Sequence, residues 1–147
     1  MVIAVENMKD IFNVFDKAES VNVYTVGEVT SYKSGTKEYK GILKCWYDML
    51  EDAYDMPAFG VSLHNETLEA MKSGRWIEFE FGKKLECNGL PFEKLLIQVE
   101  SVYQGFNLIR YNPEKGYDGR CFYFNLVDRD MSKLSEYLAF LGQNTVK

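Results

Sequence analysis

The chain has 147 residues, of which 46% are hydrophobic and 15% are aromatic. This length suits a single domain, residues 1–147, whose core is large enough to need no metal or disulfide. Seventeen basic and 22 acidic side chains leave a formal net charge of -5, which disfavours general nucleic-acid binding and adhesion to anionic membranes.

The first predicted elements are a helix and a strand. Asn7 can cap a helix that places Ile11 and Phe15 on one apolar face. After Ser20 the side chains alternate, which predicts a strand to about residue 32, followed by a turn at 33–36.

A long helix is predicted next. Apolar side chains recur at steps of three and four, which indicates an amphipathic helix near 36–54 that Pro57 ends. Asn65 is placed to cap a brief helix that stops at Gly74.

The second half of the chain is rich in predicted strands. Apolar and acidic side chains alternate from Trp76 to Phe81, and Asn88 with Gly89 suits a tight hairpin turn. Further alternating segments reach about residue 126. A last helix is predicted near 130–141, with Gly142 at its end.

Short connections between the predicted strands imply antiparallel neighbours, because parallel strands need a long crossover. The sequence therefore predicts an α+β fold with an antiparallel sheet of about four to six strands and a meander in residues 75–126. The amphipathic helices near 36–54 and 130–141 are expected to cover the sheet.

The end of the helix predicted near 36–54 is unusually acidic. Asp48 and Asp52, like Glu51 and Asp55, would be like-charge neighbours at the negative end of the helix dipole. Such a local conflict suits docking of a basic partner or a divalent cation, although a solvated acidic face gives the same pattern. Two nearby aromatic residues would suit an interface: Tyr47 and Tyr54.

The loop at residues 112–120 is a second candidate site. Arg110, Tyr117 and Arg120 could grip a phosphate or carboxylate there, although the glycine spacing matches no phosphate loop. The single histidine, His64, could act as a base or ligand at the rim of the same pocket. The alternative is a polar residue at a helix entry beside a loop that merely turns the chain.

Two further sets of residues allow a chemical and a structural interpretation. Glu78 and Glu80 project from one face of a strand, either as an acid and base pair or as a solvent-facing column. Of the cysteines, Cys87 is expected to be exposed beside a turn and is the best candidate for a reactive thiol, whereas Cys45 and Cys121 suit ordinary packing.

Cofactor, metal and membrane signals are absent from the sequence. The cysteines form no CxxC pair, the opening residues 1–6 lack the apolar core of a secretion signal, and no apolar run approaches the ~18 residues of a membrane span. We expect a cytoplasmic protein with no cofactor, no bound metal and no membrane segment.

The function expected from these features is a non-enzymatic interaction or regulatory accessory protein that binds another protein or its own copy. One alternative is a small-molecule-binding protein or small enzyme with a pocket between sheet and helix. Another is an acidic nucleic-acid mimic, which the many lysines and arginines disfavour. No residue is predicted to be catalytic.

Overall fold

The computed structural model describes residues 6–8, 11–51, 53–56, 60–87, 89–100 and 104–144. In these ranges the strands are, in chain order, β1 (Glu6–Met8), β2 (Ser20–Thr25), β3 (Glu28–Lys33), β4 (Tyr54–Met56), β5 (Val61–Ser62), β6 (Arg75–Cys87), β7 (Leu90–Gln98), β8 (Gly105–Tyr111), β9 (Gly119–Arg120) and β10 (Phe122–Asn125). The α-helices are α1 (Lys37–Met49), α2 (His64–Ala70) and α3 (Ser132–Asn144).

The main sheet has the strand order β3-β2-β6-β7-β8-β10-β4, and all neighbours in this order are antiparallel. β1 pairs in parallel with the end of β6, and β5 pairs with β9 in a separate ribbon. The predicted α+β class and antiparallel sheet are confirmed. The three-residue strands β1 and β4 are additional to the strands that the sequence indicated.

The predicted meander is confirmed by the consecutive neighbours β6, β7, β8 and β10. The turn between β6 and β7 contains Gly89 at a φ of 77°, a backbone conformation that glycine adopts without strain. Asn88, the other residue of the predicted turn, lies outside the described residues.

The main core lies between one face of the sheet and the helices α1 and α3. Alternation along β6 directs Ile77, Phe79 and Phe81 into this core, as the sequence predicted. Trp46 of α1 is fully buried, with its ring centroid 5.1 Å from that of Phe79. Each such buried apolar side chain stabilises the fold by about 1.5–3 kcal/mol.

The boundaries of the two covering helices differ from the prediction. α1 ends at Met49, because residues 54–56 pair with β10 as strand β4. Pro57, the predicted end, lies outside the described residues. α3 continues past Gly142 to Asn144, since a glycine in a helix costs only about 1 kcal/mol.

The helix predicted to begin at Asn7 is wrong. Residues 6–8 form β1, and the next segment folds into two 3₁₀ turns, Ile11–Asn13 and Phe15–Lys17. The ring of Phe15 is fully buried and lies 4.9 Å from the rings of both Trp46 and Phe79. Aromatic packing and strand pairing therefore override the helical spacing of this segment.

Helices α1 and α3 approach closely at Gly41. A Cβ added to this residue would overlap the hydroxyl and ring of Tyr137 in α3. Gly41 therefore allows the tyrosine ring to lie against the backbone of α1.

We predict opposite effects for two glycine substitutions in these helices. Gly41→Ala should lower the melting temperature, because the ~1 kcal/mol gained in helix propensity is outweighed by overpacking of about 1–3 kcal/mol. Gly142→Ala is the matched control and should raise it, since an added Cβ there meets nothing within 4 Å. Differential scanning calorimetry of both variants checks this, and equal shifts would contradict it.

Candidate functional site

The second face of the sheet is covered by α2 and by the loop at 112–118. Met71, Trp76, Leu96 and Tyr117 form a separate buried apolar cluster there. This cover determines how far the acidic residues of β6, which the sequence predicted to face solvent, are exposed.

Glu78 is completely buried, with 0% of its surface exposed, so the predicted solvent-facing position is wrong. The hydroxyl of Tyr24 donates to its Oε1 at 3.3 Å. The hydroxyl of Tyr117 donates to its Oε2 at 2.5 Å. Both carboxylate oxygens therefore have a tyrosine partner, which compensates part of the cost of burying the charge.

The ionisation of this cluster is strongly shifted. Burial raises the pKa of Glu78, while the hydrogen bonds from Tyr117 and Tyr24 and the charge of Lys94 act in the opposite direction. Burial, together with the nearby Glu78 carboxylate, also raises the pKa of Tyr24 and of Tyr117. Both hydroxyls therefore stay protonated and remain donors.

Glu80 lies on the same face and is half-buried. It accepts from Asn22 Nδ2 at 3.2 Å and from Ser20 Oγ at 3.5 Å. Its neighbour on β7 is Lys94, whose Nζ lies 4.8 Å from the centroid of the Tyr111 ring. The two carboxylates are thus held within polar contacts and do not form an open pair for acid and base catalysis.

His64, the first residue of α2, connects this cluster to the surface. Its backbone N–H donates to Asp118 Oδ1 at 2.6 Å, and its Nδ1 accepts from the N–H of Tyr117 at 3.1 Å. Its ring stacks on Tyr117 with centroids 5.7 Å apart. Asn65, the predicted cap, instead lies inside the first turn, because the Asp118 carboxylate caps the helix from another loop.

An open groove of about 790 Å³ lies between the start of α2 and the loop at 112–118. Its walls include His64 and Tyr111, and the Tyr111 ring lies edge-on to Tyr117 at 5.0 Å. Three carboxylates and one ammonium group line it: Glu66, Glu114, Asp118 and Lys115. The groove therefore presents an acidic, partly aromatic surface.

The structure brings His64 and Tyr117 together but does not bring Arg110 to them. Arg110 is opposite Leu95 and so faces the other side of the sheet. Its Nε donates to the carbonyl of Arg120 at 2.7 Å, and Nη1 donates to the carbonyl of Pro91 at 2.6 Å. Burial lowers the pKa of Arg110. This guanidinium binds backbone, and the Arg120 side chain is exposed on β9.

The acidic end of α1 is neutralised by neighbouring cations. Lys44 bridges Asp48 at 3.0 Å, and Arg129 bridges Glu51 at 2.9 Å. Arg129 Nη1 also donates to the carbonyl of Asp48 at 2.6 Å, which satisfies the helix end.

The expected helical repulsion between the acidic residues is wrong, because α1 ends before the second member of each pair. Asp52 lies outside the described residues, and Asp55 and Tyr54 belong to β4. Tyr47 is half-buried, and its hydroxyl accepts from the N–H of Asp16 at 3.1 Å.

The cysteines lie in packed positions. Cys87 and Cys121 are buried and Cys45 is half-buried, so the expectation of an exposed Cys87 is wrong. Burial raises the pKa of the Cys45 and Cys121 thiols. A raised pKa disfavours the thiolate, which is the nucleophilic form.

Sequence reasoning missed three exposed apolar residues near the start of α2, here called the apolar patch: Val61, Leu63, which lines the groove, and Leu68. These side chains are 66%, 53% and 44% exposed. The available signal was the alternation of Val61 and Leu63 with Ser62, whose hydroxyl donates to the carbonyl of Tyr117. That contact directs the two apolar neighbours outward.

Comparisons with protein families, with characterised proteins and with solved structures found no match to this chain. Among the described residues no group of three or more histidine, cysteine, aspartate or glutamate side chains could hold a metal ion. None of the helices in the described part of the chain is long and apolar enough to cross a membrane.

We predict that Glu78→Gln changes the pH dependence of stability. A raised pKa means that the folded state holds the proton to higher pH than the unfolded chain does. The contribution of Glu78 to the stability of the fold is therefore fully present below about pH 4.3, the ordinary pKa of glutamate. This contribution is lost as pH rises through the pKa of Glu78 in the folded state.

The free energy of unfolding of Glu78→Gln, relative to wild type, should therefore increase as pH rises from about 4 and then level off. The increase should be about 1.4 kcal/mol for each tenfold difference in proton affinity between folded and unfolded Glu78. Urea denaturation across pH measures this. Glu136→Gln, the same substitution at an exposed position of α3, is the control to which the curve of Glu78→Gln is compared. A constant difference for Glu78→Gln would contradict the prediction.

We predict that Gly116→Ala separates His64 from Tyr117. Gly116 has a φ of 63°, and an added Cβ would overlap the imidazole of His64. Gly35→Ala is the matched control, because its φ is 91° but nothing lies within 4 Å. Gly116→Ala should lose more thermal stability than Gly35→Ala, and NMR should show the His64 ring signals shifting only in the former.

Proposed function

We propose that this chain is a non-catalytic interaction module that binds a basic, partly apolar segment of another protein. The observation that carries the proposal is that Leu63, an exposed apolar residue, lines the acidic groove, with exposed Val61 in β5 and exposed Leu68 in α2. Exposed apolar side chains rimmed by polar groups are typical of protein interaction sites.

The patch is held on ordered structure. Val61 belongs to β5, which pairs with β9, and Leu63 precedes the first turn of α2. A surface fixed in this way loses little conformational entropy when a partner binds. This supports a preformed docking surface.

The charges of the groove favour a basic partner. The groove is lined by three carboxylates, Glu66, Glu114 and Asp118, and by one lysine, Lys115. Lys84 bridges Glu114 at 3.2 Å, which leaves an excess of one negative charge over these groups. The protein as a whole also carries a formal net charge of -5. Charges of one sign on a surface attract a segment of the opposite sign and raise its association rate. A segment with lysine or arginine next to leucine would match the groove and the patch.

The titratable groups near the groove are engaged in internal contacts. Both oxygens of Glu78 accept from tyrosine hydroxyls, and Nδ1 of His64 accepts from the Tyr117 N–H. These bonds support the groove walls. They favour a binding role over proton transfer to a substrate.

The test uses a fluorescently labelled amphipathic peptide of lysine and leucine. Wild type should bind it, and the double variant Leu63→Ser/Leu68→Ser should bind at least about tenfold more weakly, as expected when apolar anchors are lost. Leu63→Ser also places a favourable residue at the helix cap, so weaker binding would not reflect an unfolded α2.

Phe140→Ser is the matched control, because Phe140 is 54% exposed on α3 and should leave binding unchanged. Fluorescence anisotropy measures the three affinities at low and high salt. Equal binding by all three proteins, or equally tight binding of a glutamate and leucine peptide, would refute the proposal.

A further inference from the structure

Strand β3 is one edge of the main sheet. β2 pairs with it on one side, and no strand pairs with its other side among the described residues. Five of its six residues, all except Tyr32, are exposed, and the strand contains no proline. Natural edge strands are usually protected by proline, charged side chains or bulges, because their free backbone groups invite pairing. In β3 the charged residues Glu28 and Lys33 stand only at the two ends.

The register with β2 decides which backbone groups are free. Thr25 and Glu28 flank the two-residue turn and form the hydrogen-bonded pair that closes the hairpin. Alternation then directs Thr30 and Tyr32 toward β2 and Val29, Ser31 and Lys33 outward. The N–H of Ser34, which donates to the carbonyl of Glu19 at 2.9 Å, follows the same alternation.

The outward N–H and C=O groups of β3 can pair with the same groups of a second copy of the chain. A two-fold axis through Ser31, perpendicular to the sheet, places Ser31 opposite Ser31 of a second copy, so that each N–H meets the other carbonyl. The N–H of Lys33 then faces the carbonyl of Val29 in the other copy. The carbonyl of Lys33, which the N–H of Val29 would need as its acceptor, already accepts from Thr36, so about four hydrogen bonds remain to join the two copies.

The side chains also tolerate this register. Thr30 lies opposite Tyr32 of the second copy, a favourable pairing of a β-branched and an aromatic residue. Lys33 lies opposite Val29, and Glu28 lies opposite Ser34, so no like charges face each other directly. Glu28 and Lys33 make the strand neutral, although the chain carries a formal net charge of -5.

We infer that β3 is a self-association edge, at which a second copy of this chain pairs in antiparallel fashion about Ser31 and continues the sheet across a two-fold axis. This surface is separate from the groove and the apolar patch. The inference therefore stands independently of the proposed function.

The first test is sedimentation velocity of Ser31→Pro and Ser31→Ala across a concentration series. Both variants lose the hydrogen bond from Ser31 Oγ to Asn22 Oδ1, but only proline removes the outward N–H. Wild type and Ser31→Ala should form dimers, and Ser31→Pro should remain monomeric. Circular dichroism checks that all three are folded.

The second test exchanges charges at two exposed positions and does not depend on proline. Val29→Lys places two lysines opposite each other, and the dissociation constant should rise about fivefold or more, since two symmetric pairs become repulsive. Val29→Lys/Lys33→Glu should restore the wild-type value by placing opposite charges together.

Salt separates this contact from general electrostatic attraction. Two copies of like net charge repel, so dimerisation should persist or strengthen at about 0.5 M salt, where charges are screened beyond a few ångströms. A monomeric wild type at all concentrations would overturn the inference. So would a dimer that Ser31→Pro and Val29→Lys leave unchanged.

Discussion

The buried carboxylate of Glu78 and its two tyrosine partners are the interaction on which the second face of this protein depends. An ionised carboxylate away from water is costly unless its oxygens accept hydrogen bonds. Tyr24 supplies one bond from within the sheet, and Tyr117 supplies the other from the loop that covers it. The Glu78 carboxyl group therefore depends on the loop for one of its two hydrogen bonds, and the loop in turn covers this group from solvent.

The groove is a consequence of this constraint. Tyr117 is fixed at its hydroxyl by Glu78, while its backbone and ring contact His64. His64 opens α2, and Asp118 caps that helix from the same loop. The position of the apolar residues Leu63 and Leu68 is thus set by contacts that begin in the sheet. This supports the proposed recognition of a partner over chemistry, because the Glu78 carboxylate and Nδ1 of His64 already accept internal hydrogen bonds.

Much of the fold follows from local patterns, and the site does not. The alternation from Trp76 to Phe81 and the turn at Gly89 were enough to predict the meander, because period and turn conformation are local properties. The same alternation predicts only that Glu78 and Glu80 share a face. Whether that face is wet depends on Tyr117, 39 residues away along the chain. The helical spacing of apolar residues before Phe15 predicted a helix wrongly for the same reason. Aromatic contacts with residues far along the chain decide the structure of that segment.

Tyr24 lies between the two surfaces that we propose for binding, the edge strand β3 and the groove. On β2 it lies between Val29 of the free edge and Trp76 of β6, and its hydroxyl reaches Glu78. Strand pairing at β3 would extend the sheet without moving Tyr24, because the new hydrogen bonds use only backbone groups that face away from β2. The hydrogen bonds that hold the groove lie on the opposite side of β2. One continuous sheet can therefore support self-association at its edge and partner binding on its face without either requiring a change in the other.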